Sequence, residues 1–156
     1  MPERAGRGVR VVRAQRRGRR ERVRDIPLVI AAGGALGAVA RYGLSVALPR
    51  GPGSFPWSTF LTNVLGCLLI GALMVVLTEV AGRPHRLVRP FVGVGVLGGF
   101  TTFSTYAVDT LRMVDAGAPA TAFAYLLGTL LGALLAVEAG MVMTRALTRA
   151  HRQRGI

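Results

Sequence analysis

The sequence predicts an all-α integral membrane protein of four transmembrane helices, and three observations carry that expectation. First, 51% of the 156 residues are hydrophobic, and the mean hydropathy is +0.46 although 17% of the residues are charged. Second, the charge is sorted: ten of the twenty Arg precede Asp25, and most of the others lie between apolar blocks. Third, four apolar segments of about 20–25 residues recur along the chain, and at about 1.5 Å per residue each can cross a hydrocarbon core of about 30 Å. The length leaves room for one domain.

Residues 1–25 form an Arg-rich tail, expected to be disordered, to fix topology and to touch anionic lipid. It has none of the aromatic interleaving of a nucleic-acid arm, so no nucleic-acid partner is expected. Residues 26–48 form the first span. Gly33 and Gly37 make a small face for close packing, and Arg41 lies some two turns before the end of the span. An Arg there is costly unless it snorkels to the interface or lines water, where it attracts anions. The turn residues Pro49-Arg50-Gly51-Pro52-Gly53 end this span.

The second span, residues 57–80, holds Asn63 within Thr59-Phe60-Leu61-Thr62-Asn63-Val64-Leu65-Gly66. Asn63 can glue helices together or donate to a passing anion. After Gly82-Arg83-Pro84 comes the third span, residues 87–110. Its run Gly98-Gly99-Phe100-Thr101-Thr102-Phe103-Ser104-Thr105-Tyr106 is a poor way to build a buried helix. Gly loosens the backbone, and Ser and Thr offer it other hydrogen bonds. A break near the middle of this span is therefore expected, tolerated in lipid only where freed groups are buried or line a cavity. Past Asp115-Ala116-Gly117-Ala118-Pro119, the fourth span covers residues 119–143, with Gly128 and Gly132 as a second small face. Residues 146–156 form a basic C-terminal tail.

Four spans put both termini and the second loop on one side. That side carries seventeen Arg and the other only Arg50 and Arg112; without the tail the count is still seven against two. Both termini are expected in the cytoplasm. A cleavable signal peptide is not expected, because the first apolar block follows a long tail and exceeds a signal core.

Gly93-Val94-Gly95-Val96-Leu97-Gly98 matches a dinucleotide fingerprint but lacks the βαβ unit that gives the fingerprint meaning, so helix packing explains it better. His85 and His151 fall in a loop and a tail, and no Ser-His-acid set, carboxylate pair or metal cluster lies in the spans. An enzyme is not expected. Cys67 excludes an internal disulfide and is expected to pack as a small apolar residue. Glu138 is taken as the acid within the spans; about one turn from the cytoplasmic end, it is expected to snorkel or to pair with Arg145, with a proton relay as the alternative. Arg41, Asn63, Thr102, Ser104, Thr105 and Thr129 are all donors, which favours an anion. Phe103 and Tyr106, three apart, share a helical face and can present positive ring edges. The competing functions are a proton-coupled exporter of small cations, for which Glu138 is badly placed, and a non-transporting scaffold, which leaves the donors without a role.

Residues 26–145 resemble the Fluc (CrcB) family of fluoride channels. The resemblance rests on Gly33-Gly34-Ala35-Leu36-Gly37-Ala38-Val39-Ala40-Arg41-Tyr42, on Thr59 through Gly66, and on Gly98 through Thr105. It implies a plasma-membrane antiparallel dimer with two fluoride pores and a structural Na+ at its centre, held by the backbone carbonyls of Gly98 and Thr101. It implies Asn63, Phe103, Ser104, Thr105, Tyr106 and Thr129 along the fluoride path and Arg41 at a vestibule. Two features depart from that pattern. Tyr106 stands where the family usually has Phe. The Arg bias suits a chain of fixed orientation, paired with an oppositely oriented paralogue, better than a homodimer.

Overall fold

The computed structural model describes residues 3–51, 53–82 and 84–154, with side chains from Asp25 onward except at 152 and 154. The described helices are α1 (Glu3–Ala47), α2 (Trp57–Val75), α3 (Leu97–Phe100), α4 (Phe103–Asp115) and α5 (Pro119–Arg154). A π-helical turn at Val76–Val80 extends α2, and another at Arg89–Val96 leads into α3. Pro90, which has no N–H to give, sits at the start of the second of these. For residues 3–24, nearly all of the expected tail, only the backbone is described, as part of α1, and nothing of the side chains.

Among the described residues, four stretches are long and apolar enough to cross a membrane: Asp25–Ala47, Trp57–Val80, Arg89–Asp115 and Pro119–His151. The predicted spans start within two residues of these. The connections are sharp. At the end of α4, Gly117 takes φ 75°. Its N–H meets the Val114 carbonyl while the Ala118 N–H reaches that of Met113, the double bond of a glycine-closed helix end. Pro119 then opens α5, where a missing N–H costs nothing.

Two packed pairs build the bundle. α2 lies along α5, and α1 lies along Arg89–Val96 and α3. Lipid offers no hydrophobic drive between helices, so close approach must come from small residues. A methyl group on Gly71 would overlap the Val137 carbonyl, and one on Gly140 would overlap that of Leu68. Gly33 and Gly37 likewise press against the backbone of Phe91 and Val96, so the first small face packs as expected. The second does not: Gly128 opens on empty space and Gly132 meets only the side chains of Phe60 and Val64.

The inside–outside pattern is that of a protein in lipid. Thr62 and Asp109 are 1% and 2% exposed, while Leu28 and Leu135 are each 71% exposed. At the end away from the termini, Met113, Ala122 and Tyr125 form a small core with Phe55, Phe60 and Tyr106 against it. Between α3 and α4 the helical geometry lapses. Thr101 and Thr102 are extended, at φ −75°, ψ 157° and φ −151°, ψ 125°.

Candidate functional site

The interruption at Thr101–Thr102 is held by the neighbouring helix. Asn63 of α2 donates from Nδ2 to the Thr102 carbonyl at 3.0 Å and accepts the Thr102 N–H on Oδ1 at 2.8 Å. One carboxamide thus satisfies both backbone groups of a residue that is 9% exposed. Beside it, a methyl group on Gly66 would overlap the Thr101 side chain, so glycine there lets α2 come this close. The sequence offered Asn63 as glue or as donor to an anion. One amide hydrogen serves as glue, and the second has no partner among the described residues.

Thr102 also caps α4. Its hydroxyl accepts the Thr105 N–H at 3.1 Å and donates to Thr105 Oγ1 at 3.0 Å. The 3.3 Å contact with Ser104 then runs from Ser104 to Thr102. In a continuous helix the Thr102 N–H would serve the Gly98 carbonyl, and the Thr105 N–H that of Thr101. Here the first goes to Asn63 and the second to the Thr102 side chain. The carbonyls of Gly98 and Thr101 are thereby released, and Gly98 has open space where a Cβ would stand. Such carbonyl oxygens suit a hard monovalent cation.

From this point a cavity of about 260 Å³ runs toward the end away from the termini. Ala38, Arg41, Tyr42 and Ser45 of α1, Ser58, Thr59 and Thr62 of α2, and Thr102 and Thr105 line it. Seven of the nine carry hydroxyls and none is an acid. Arg41, half-buried, forms no ion pair among the described residues, so the cavity is electropositive. Not every hydroxyl proton is available. Thr59 donates to Asp109, Thr62 to carbonyls of its own helix, and Thr102 to Thr105. The Thr105 proton has no acceptor among the described residues.

The aromatic pair is part of a longer series. Phe103, 80% exposed, lies 5.8 Å from Tyr106 between ring centroids. Tyr106 lies 5.1 Å from Tyr125, which meets Phe55 edge-on at 5.4 Å. The hydroxyl that sets Tyr106 apart from Phe donates to the Leu126 carbonyl of α5 at 2.9 Å, tethering the ring from its far end. On α5, Thr129 Oγ1 is buried without a hydrogen-bond partner among the described residues, and the buried Tyr125 Oη faces the Thr59 hydroxyl without a well-formed bond to it. Thr129 is therefore not bonded to its own helix, the usual fate of Thr in a span. Tyr125 escaped the sequence reading, although it stands one turn from Thr129 and so shares its face.

The choice of Glu138 as the embedded acid is corrected. Glu138 is exposed, and Arg145 bonds to Glu79 instead, at 2.8 Å. The buried acid is Asp109, which pairs with Arg50 and accepts the Thr59 hydroxyl at 2.7 Å. No local signal marked it, because its partner Arg50 lies 59 residues away in the sequence.

Comparison with known proteins accords with this architecture. The model of the family described as CrcB-like protein, Camphor Resistance (CrcB), matches residues 28–141. The chain belongs to the CrcB family. It is 53% identical over 131 residues to the Streptomyces avermitilis protein named fluoride-specific ion channel FluC 2, covering 83% of this chain and 82% of that one. The Nocardia farcinica FluC 2 is 51% identical over 128 residues (82% and 91%), and the Paracoccus denitrificans FluC 43% over 120 (77% and 94%). With four spans and this family, the chain is a multi-pass membrane protein.

Proposed function

We propose that this CrcB-family protein is a fluoride-selective channel that lowers cytoplasmic fluoride by passive efflux. The observation that carries the reading is the acid-free, hydroxyl-lined cavity that reaches Thr102 at the helix interruption, with Arg41 forming no ion pair among the described residues. The names of the relatives supply the ion. Fluoride enters cells as neutral HF and is trapped as the anion at neutral pH. A membrane potential negative inside then drives it outward, with no need of ATP.

Fluoride holds its hydration shell tightly, and a path selective for it must replace that shell with fixed donors. Asn63, Thr105 and Thr129, together with Tyr125, provide N–H and O–H groups, Ser104 can add its own by giving up its 3.3 Å contact with Thr102, and Phe103 and Tyr106 provide ring edges. Arg41 concentrates anions in the vestibule. The buried acid that a proton-coupled cation exporter would use is neutralised here by Arg50, which argues against that rival.

The test is efflux from liposomes holding fluoride or chloride. Fluoride is expected to leave and chloride to stay; equal passage of both would overturn the selectivity. Phe103→Ile is expected to cut the flux at least tenfold, on the order of one lost transition-state contact of about 1.4 kcal/mol. Tyr106→Phe, which removes only the tether to Leu126, is expected to keep most of it.

The chain's place in an assembly is part of the same proposal. The released carbonyls of Gly98 and Thr101, met by the same pair from a second chain, would hold a structural Na+ at the centre of an antiparallel dimer. The Arg bias fixes this chain with both termini in the cytoplasm, so its partner is an oppositely oriented paralogue. Tags on either terminus are expected to be reachable only from the cytoplasmic face of cells. Equal labelling from both faces, or full flux from this chain alone, would sink the paired-paralogue reading and leave the fluoride reading standing.

A further inference from the structure

At the end of the bundle that carries both termini, a second cavity of about 250 Å³ opens beside the second loop. Its inner wall is apolar, formed by Met74 and Leu77 near the end of the second span. Its mouth is basic, formed by His85, Arg86 and Arg89. Arg89 is the first residue of the third span, and Val80 is the last of the second. The mouth therefore lies where the hydrocarbon gives way to headgroups, and the inner wall lies deeper.

The charges are arranged rather than scattered. Arg86 donates to Asp25 Oδ2 at 3.0 Å, which holds its guanidinium at the mouth and balances one positive charge. Arg89 forms no hydrogen bond or ion pair among the described residues and is exposed. The His85 ring accepts the Leu87 N–H on Nδ1 at 3.3 Å, which leaves Nε2 as the ring's donor. One uncompensated cation, a neighbouring ring donor and an apolar wall below them match an anion that continues into hydrocarbon. A free phosphate would use the mouth and leave the wall bare.

We infer that this cavity seats the phosphodiester of an anionic phospholipid, with Arg89 against the phosphate and the start of an acyl chain against Met74 and Leu77. Basic pockets at the ends of membrane helices bind such headgroups for this reason. The site is separate from the ion path, so the inference does not depend on which ion that path conducts.

The experiment is native mass spectrometry of the full-length protein in detergent, counting bound phosphatidylglycerol against phosphatidylcholine. Phosphatidylglycerol is expected to be retained preferentially. Arg89→Gln is expected to weaken that retention about fivefold, the worth of one Arg near a membrane surface. Arg89→Lys, which keeps the charge, is expected to restore it, and Arg112→Gln at the opposite end is expected to leave it unchanged. Equal retention by wild type and Arg89→Gln would overturn the site. Phosphatidylcholine held as well as phosphatidylglycerol, or phosphatidylglycerol displaced by millimolar inorganic phosphate, would overturn the lipid.

Discussion

Replacing Arg50 by Ala is expected to destabilise the protein by about 3–5 kcal/mol, the cost of leaving a buried charge without its partner. Asp109 is the residue left behind. It is 2% exposed, against 23% for the Arg50 side chain. The Thr59 hydroxyl would still donate to it. The Arg112 guanidinium, 4.0 Å away, is exposed and would have to lose water to take over. Asp109→Asn should cost less. Its carbonyl can still accept from Thr59, and Arg50 can turn to solvent. The double replacement Arg50→Met with Asp109→Leu should cost least of all, because an apolar pair needs no desolvation of charge. Equilibrium unfolding in detergent would rank the three. A wild-type midpoint for Arg50→Ala would show that the pair does not hold the first loop to α4.

Why Asp109 was not legible in advance is instructive. Hydropathy treats an acid near a span end as a boundary marker and does not separate Asp109 from Glu138, also near an end. Burial depends on what lies opposite. Here the first loop folds Arg50 over the end of α4, a contact between residues 59 apart in sequence. The spans themselves were legible, because length and apolarity are local properties. So were Gly33 and Gly37 as a packing face. Gly71 and Gly140, which make the close α2–α5 contact, are 69 residues apart and share no local motif. The run from Gly98 to Tyr106 could be read as a poor helix from its composition. Which of its hydroxyls retain free protons could not, since Thr59 is engaged by Asp109 and Thr102 by the turn it caps.

Asn63→Ala is expected to have the largest functional effect, because one side chain does two things at the interruption. It satisfies both backbone groups of Thr102, and it keeps the Thr102 N–H away from the Gly98 carbonyl. Without it, two buried polar groups lose their partners, at about 1–3 kcal/mol each. The chain can recover part of that loss in one way: the Thr102 N–H returns to Gly98 and the helix closes through Thr101. That recovery removes the carbonyl proposed to hold Na+ and turns the cap of α4 out of place, with Ser104 and Thr105 moving with it. Fluoride flux in liposomes should fall to background, and stabilisation of the protein by Na+ over K+ should vanish. Asn63→Asp separates the two roles. Its carboxylate still accepts the Thr102 N–H, so Gly98 stays free and the response to Na+ should survive. It also places a negative charge on the proposed anion path and gives up both amide donors, so flux should still be lost. If Asn63→Ala kept its Na+ response, the freed Gly98 carbonyl would not be the cation's ligand. If Asn63→Asp conducted fluoride normally, Asn63 would lie off the path and serve only as the clamp on Thr102.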